Sequence, residues 1–146
     1  MLPMRSRDQG IKPMPTLEFL IPRRPVSLQT RNRANLQAWK NYVAAEAAKV
    51  WQGAVIGSGN LELILVYLYD LAPPDTDNIV KPIQDALVGL VFSDDALISD
   101  VESHRRSLLG TFDLTRLPNL LVAGITTGQE CVYVKLSTSQ PLEDYL

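Results

Sequence analysis

Residues 73–98 form the stretch PPDTDNIVKPIQDALVGLVFSDDALI. Pro73 and Pro74 end the apolar segment that precedes them and hold the backbone extended. Apolar residues then recur at the spacing of a helix face, at Ile79, Ile83, Leu87 and Leu90. This periodicity predicts a helix from about residue 79 to residue 91, followed by a turn at Ser93-Asp94-Asp95.

The start of that helix is less regular than its middle. Asp77 and Asn78 are both suitable N-caps, because their short polar side chains accept hydrogen bonds from free backbone N–H groups. Pro82 has no N–H and is tolerated only in a first helical turn. The sequence therefore predicts that the helix starts late or begins with a distorted turn.

The flanking regions predict six further elements. Strands are expected at 17–21, 61–69, 97–106 and 131–136, and helices at 34–51 and 118–127, the last closed by Gly128. The order β-α-β-α-β-α-β predicts one α/β (α+β) domain over residues 16–140, with a mixed sheet packed by helices. A flexible leader at 1–15 and a loose tail at 141–146 complete the predicted organisation.

The scarcity of two residue types excludes several classes of chemistry. The chain has one cysteine, Cys131, and one histidine, His104, so a Ser-His-Asp or Cys-His hydrolase and a zinc site of Cys and His ligands are not expected. Cys131 lies in an apolar segment and is interpreted as a buried strand residue. No apolar run approaches the roughly 20 residues of a membrane span. These features predict a soluble cytoplasmic protein with no membrane partner.

The formal net charge of −2 hides an uneven distribution. Residues 1–60 hold nine Lys and Arg against three Asp and Glu, which gives +6, and residues 61–146 hold five against thirteen, which gives −8. A basic half is expected of a protein that binds a phosphate backbone. An acidic half would repel DNA unless cations neutralise it.

Seven acidic residues fall within residues 75–102, and Lys81 is the only positively charged lysine or arginine in the same stretch. They are Asp75, Asp77, Asp85, Asp94, Asp95, Asp100 and Glu102. Asp77, Lys81 and Asp85 are spaced i, i+4 and i+8 and would line one face of a helix. Clustered carboxylates repel one another unless a cation offsets their charge, and ligands that are all oxygen favour Mg²⁺, with Mn²⁺ as a substitute. Such ions support phosphodiester cleavage.

Other interpretations of these carboxylates stay open. A charged stripe on a helix is commonly a solvated face, and Asp-x-Asp pairs also occur in phosphotransferases and sugar-nucleotide transferases. A calcium loop is not supported, because Val80 stands where the turn glycine is required. A phosphotransferase would place Asp-x-Asp directly after a strand, whereas residues 71–74 intervene here.

The ordered set of residues from Asp75 to Ile98 resembles the RusA family of Holliday-junction resolvases. The matching features are Asp-x-Asp-Asn, a lysine four residues after the second aspartate, Asp-Ala-Leu, and a later Asp-Asp pair. The resemblance implies a homodimeric nuclease of bacterial or phage origin that cuts branched DNA, such as four-way junctions, in recombination and repair. The chain departs from the family in its overall acidity and in the sequence of its first polar loop.

Roles for individual residues follow from this resemblance. Asp75, Asp77 and Asp95 correspond to the metal-binding catalytic carboxylates, and Lys81 to the family lysine near the scissile phosphate. Asp85 and Asp94 are additional candidate ligands, with a supporting role for Asp85 equally open.

The candidate DNA-binding residues come from the residue types themselves. Hydroxyl, amide and guanidinium donors suit contacts with phosphate, and such donors are concentrated in one loop and at one strand end. They are Ser27, Gln29, Thr30, Arg31, Asn32, Arg33, Arg105 and Arg106. Three hypotheses remain: a structure-selective endonuclease, a non-catalytic binder of branched DNA, and a metal-dependent phosphatase or nucleotide hydrolase with a small substrate.

Overall fold

The computed structural model describes residues 16–70 and 76–146, and the side chains of Thr76 and Asp77 are also outside the description. The predicted leader at 1–15 and the candidate ligand Asp75 lie outside the described residues.

Four strands and three helices alternate along the described residues. The strands are β1 (Leu17–Ile21), β2 (Leu61–Tyr69), β3 (Ile98–Ser107) and β4 (Cys131–Thr138), and the helices are α1 (Arg33–Ala48), α2 (Thr76–Leu87) and α3 (Asn119–Thr127). The predicted order of elements is confirmed. Short 3₁₀ turns lie at Asp95–Leu97, Leu114–Arg116 and Leu142–Asp144, the last of them inside the predicted tail.

The strands form one mixed sheet in the order β1-β4-β2-β3. β4 is antiparallel to both of its neighbours, with Phe19 opposite Val134 and Leu65 also opposite Val134. β2 and β3 are parallel, as expected for strands joined through a helix. The mixed α/β architecture is therefore confirmed.

Alternation along the strands divides the apolar residues between two faces of the sheet. One face packs against α1 and α2 and forms the larger core, which includes Phe19, Leu63, Leu65, Trp39 and Ile83. The opposite face packs against α3 and forms a smaller cluster around Leu68, Leu121, Cys131 and Tyr133. Cys131 is buried, as predicted, and burial raises its pKa to about 11.

The boundaries of α2 correct the prediction for this helix. It begins at Thr76, so neither Asp77 nor Asn78 is the N-cap, and Pro82 lies inside the helix and not in a late first turn. The helix also ends at Leu87, four residues before the predicted end. Gly89 adopts a φ of 85°, which a right-handed helix cannot accommodate. α1 likewise ends at Ala48 and not at Trp51.

None of the helices in the described ranges is long and apolar enough to cross a membrane.

Gly124 sets how closely α3 approaches the sheet. A Cβ atom at this position would meet Cys131 Sγ and Leu20 Cδ1 at 3.1 Å each. Gly124→Val should therefore lower the free energy of unfolding by about 1–3 kcal/mol, through overpacking of a filled interface. Ala123→Val, on the exposed side of the same helix, should cost only about 0.5 kcal/mol from helix propensity. Urea unfolding of both variants tests this expectation, and equal losses would contradict it.

Candidate active site

Lys81 connects the helix α2 to the turn that precedes β3. Its ammonium lies 2.5 Å from Asp95 Oδ2 and 2.8 Å from Asp85 Oδ1. The Lys81–Asp85 contact is the i, i+4 pair that the sequence predicts. The Lys81–Asp95 contact is tertiary, because it joins residues fourteen positions apart.

Asp85 is held between two lysines. Its second carboxylate oxygen lies 3.5 Å from the ammonium of Lys40, which reaches across from α1. With one oxygen on Lys81 and the other near Lys40, Asp85 has the contacts of a residue that orients Lys81. The position of Lys40 on α1 gives no local sign of a partner on α2, so the sequence alone does not predict this contact.

The contact between Lys81 and Asp95 fixes the charge of both side chains near neutral pH. The hydrogen bond from Lys81 lowers the pKa of Asp95 below its ordinary value. The hydrogen bonds to Asp85 and then to Asp95 raise the pKa of Lys81 above its ordinary value. Asp95 is thus an ionised carboxylate, and Lys81 keeps its proton and acts as a fixed positive charge, not as a proton donor.

Asp94, the other candidate ligand in this turn, caps the turn through its side chain. Its carboxylate oxygen accepts a hydrogen bond from the Ala96 N–H at 2.9 Å and caps the 3₁₀ turn that carries Asp95. The backbone at Asp94 is extended, as expected of a cap residue. Asp94 therefore orients the turn on which Asp95 is presented.

A cleft of about 660 Å³ opens beside this cluster, between α1, α2 and the turn at 93–95. Its walls include Lys40, Asp85 and Asp95, together with the amides of Gln37 and Asn41. Gln37 donates a hydrogen bond to Asn41 at 2.9 Å, so the two amides form one polar wall. The charged cluster is consequently open to solvent and to a ligand.

The described residues contain no group of three acidic, His or Cys side chains close enough to hold a metal ion. Of the three carboxylates predicted as ligands, Asp75 and the side chain of Asp77 lie outside the description, and Asp95 alone is seen, paired with Lys81. The metal-binding assignment therefore stays a prediction.

The basic loop, residues 23–32 between β1 and α1, uses several of its polar side chains to hold its own shape. Ser27 Oγ accepts from the Gln29 N–H at 3.1 Å, and Thr30 Oγ1 accepts from the Asn32 N–H at 3.3 Å. Asn32 Oδ1 accepts from the Asn35 N–H at 3.0 Å and caps α1. These three predicted phosphate-binding side chains thus have structural bonds.

The remaining predicted residues of this region point outward. Gln29, Arg31 and Arg33 are all exposed. They are the members of the predicted set that are best placed to meet a phosphate backbone. Whether they bind DNA stays a prediction.

Two arginines at the start of the basic loop anchor it to the domain. The Arg23 guanidinium stacks 3.7 Å from the centre of the Tyr42 ring on α1. Arg24 pairs with Glu130 at 3.0 Å, and Glu130 also accepts a hydrogen bond from Tyr67 at 2.5 Å. The sequence places both arginines in a basic loop but does not show these partners, which come from other elements.

Arg105 and Arg106 do not share a surface. β3 is an edge strand, and its register sets Arg105 beside Tyr67 and Arg106 beside Leu68. Tyr67 belongs to the face covered by α1 and α2, and Leu68 to the face covered by α3. The predicted pair is therefore split between the two faces, and only Arg105 lies on the face of Lys81 and Asp95.

The fold and this cluster define a small α/β domain with a carboxylate–lysine site beside an arginine-bearing loop. A family model described as endodeoxyribonuclease RusA matches residues 11–108. The chain belongs to the RusA endodeoxyribonuclease family, which confirms the resemblance seen in residues 75–98. The family consists of nucleases, and the matched range includes the basic loop, α2 and Asp95. No curated protein matches the chain.

The Lys81 contact can be tested by titration of the metal-free protein. Lys81→Met removes the charge that stabilises ionised Asp95 and keeps most of the side-chain volume, so the pKa of Asp95 should rise toward its ordinary value. Carbon-detected NMR of the carboxyl group reports this shift. Lys49→Met is the matched control, because Lys49 pairs with Glu46 at the far end of α1. An unchanged Asp95 titration in Lys81→Met would contradict the contact.

Proposed function

We propose that this protein is a Mg²⁺-dependent endonuclease that hydrolyses phosphodiester bonds in branched DNA, with Mn²⁺ able to replace Mg²⁺. Four-way junctions formed in recombination and repair are the proposed substrates, and the proposed active form is a homodimer. The observation that carries the proposal is the RusA family match, which spans the whole stretch from Asp75 to Asp95.

The chemistry of the donor set fits a hard divalent cation. Asp75, Asp77 and Asp95 offer only carboxylate oxygens, which Mg²⁺ and Mn²⁺ prefer. Asp95 is ionised and 39% exposed, so its carboxylate is available to a ligand. A bound ion would supply an activated water and stabilise the leaving oxygen. These three residues are the proposed metal ligands.

Lys81 is proposed to stabilise negative charge that develops on the phosphate during cleavage. Its raised pKa keeps it cationic, and Asp85 fixes the direction of its side chain. In the protein without substrate the ammonium pairs with both Asp95 and Asp85. A phosphate beside this cluster would offer Lys81 a third anionic partner, so the lysine could turn toward substrate and still be paired with an anion.

The basic loop, Arg33 at the start of α1, and Arg105 are proposed to hold DNA next to this cluster. Gln29, Arg31 and Arg33 supply exposed donors on one side, and Arg105 lies on the same sheet face as Lys81. A two-fold junction requires two cuts, which a symmetric dimer places at equivalent positions. Direct contacts from arginine to phosphate are expected to dominate the affinity.

The carboxylate assignment is tested by three isosteric substitutions. Asp75→Asn, Asp77→Asn and Asp95→Asn each remove a ligand charge with almost no change in volume. Each should lower the cleavage rate of a four-way junction by on the order of 100- to 1,000-fold, the factor that corresponds to several kcal/mol of lost charge stabilisation. Cleavage assays with Mg²⁺, Mn²⁺ and EDTA measure this, and circular dichroism checks the fold.

Asp94→Ser is the matched control for this series. Its hydroxyl can still accept the Ala96 N–H, so the turn should be retained and cleavage should persist. Full activity in all three asparagine variants would overturn the metal site. Junction binding without cleavage in the wild-type protein would favour a non-catalytic binder. Hydrolysis of small phosphoesters alone would favour a small-substrate hydrolase.

The role of the basic loop is tested by the dependence of DNA affinity on salt. The slope of log K against log salt concentration is about −0.9 for each phosphate contact on duplex arms. Arg31→Ala/Arg33→Ala should flatten this slope by roughly two such contacts per subunit. Lys49→Ala removes a cation from the opposite end of α1 and should leave the slope unchanged.

Light scattering in the same buffers tests the proposed assembly. A dimer should give a mass near twice that of the 16.2 kDa chain. A monomer whose DNA binding does not respond to salt would rule out both the loop assignment and the paired-cut model.

A further inference from the structure

Pro82 leaves one backbone carbonyl of α2 without its ordinary partner. In an α-helix the N–H of residue 82 would donate to the carbonyl of residue 78. Proline has no N–H, so the Asn78 carbonyl is released from the helical ladder. An interior proline normally kinks or breaks a helix, yet α2 continues to Leu87.

The partner of this carbonyl is a backbone N–H of the basic loop. Leu28 N donates to Asn78 O at 2.8 Å. This bond crosses from the loop between β1 and α1 to the first turns of α2. It satisfies an acceptor that Pro82 has freed, and it fixes a loop amide that would otherwise face solvent.

The bond completes a set of anchors along the basic loop. Arg23 stacks on Tyr42, Arg24 pairs with Glu130, and Val26 packs against the larger core. Residues 29–32, in contrast, are held by short local bonds to Ser27 and Thr30. The Leu28–Asn78 bond is thus the last anchor before the exposed donors Gln29 and Arg31.

We propose that Pro82 is a positioning residue that docks the basic loop onto α2 by freeing the Asn78 carbonyl for Leu28. This proposal rests on the proposed function, in which the loop holds DNA beside the carboxylates. Asn78 directly follows Asp77 and lies three residues before Lys81. The carbonyl that docks the loop and the proposed catalytic Lys81 therefore lie within one turn of the same helix.

A residue with an N–H at position 82 would compete with the Leu28 N–H for the Asn78 carbonyl. In Pro82→Ala the helix supplies its own donor to Asn78 O, so Leu28 no longer has sole use of the acceptor. A carbonyl has two lone pairs, and the loop bond is expected to weaken and not to disappear. Because alanine also favours the helix, the variant should remain folded.

Amide hydrogen exchange tests the docking without reference to catalysis. In the metal-free and DNA-free protein the Leu28 amide should be protected in the wild type. It should exchange about 2- to 10-fold faster in Pro82→Ala, the factor that corresponds to the net contribution of one hydrogen bond. The Ile56 amide, which donates to Val91 O at 2.8 Å far from the loop, is the internal reference and should not change.

Junction cleavage then tests the positioning role. Pro82→Ala should raise the KM for a four-way junction by about 2- to 10-fold and leave kcat unchanged. Replacing Leu28 by its α-hydroxy acid converts the amide to an ester, which removes the N–H and also weakens the Ser27 carbonyl as acceptor of the Thr30 N–H, an effect common to both backgrounds. This ester should raise KM in the wild-type background and have a smaller effect in Pro82→Ala, because the two changes disturb one bond. The corresponding ester at Ile56 should lower stability but not raise KM.

Two results would overturn the proposal. One is equal exchange of the Leu28 amide in the wild type and in Pro82→Ala. The other is an ester effect at Leu28 that is the same in both backgrounds. If the wild-type protein does not cleave DNA, the proposed function fails on its own, and the exchange rates together with junction affinities measured without metal decide whether Pro82 docks the loop.

Discussion

The pairing of β4 with both β1 and β2 is the constraint on which the rest of the structure depends. β4 lies between these strands and is buried along most of its length, from Cys131 to Val134 and again at Leu136. Among the described strands, β1 has no other neighbour, so its position and that of the basic loop after it are set by this ladder. The family match ends at residue 108, whereas β4 begins at 131. The matched region therefore completes its sheet with a strand from beyond the match.

The charged cluster is defined by its geometry and contributes little to stability. Lys81 and Asp95 are 45% and 39% exposed, so solvent screens their attraction, and exposed pairs of this kind contribute little to folding. The backbone fixes where they meet. Lys81 and Asp85 are one helical turn apart, and the cap at Asp94 holds the turn that carries Asp95. Ion pairs that are geometrically defined but weakly bound can be exchanged for a metal ion or a phosphate without disturbing the core.

The sequence predicts those features that depend on local periodicity and fails on those that depend on tertiary contacts. The order of elements, the Lys81–Asp85 pair and the left-handed Gly128 that ends α3 all follow from short-range rules. The strand order, the contact from Lys40 to Asp85 and the separation of Arg105 from Arg106 follow from the sheet register and helix packing. The prediction for Pro82 is wrong for the same reason, because its tolerance inside α2 depends on a donor from the basic loop.

Residue type alone also does not show which polar residues of the basic loop stabilise its fold and which are free to contact a ligand. Ser, Thr and Asn suit phosphate contacts, but they equally suit turns and caps, because their side-chain oxygens accept backbone N–H groups. Ser27, Thr30 and Asn32 use their oxygens in this way, while Arg31 and Arg33 remain exposed. One short segment can therefore be rigid and cationic at once. Rigidity lowers the ordering cost of binding a charged backbone, and the exposed cations supply the attraction. A chain with a net charge of −2 can in this way present a local positive surface beside an acidic cluster.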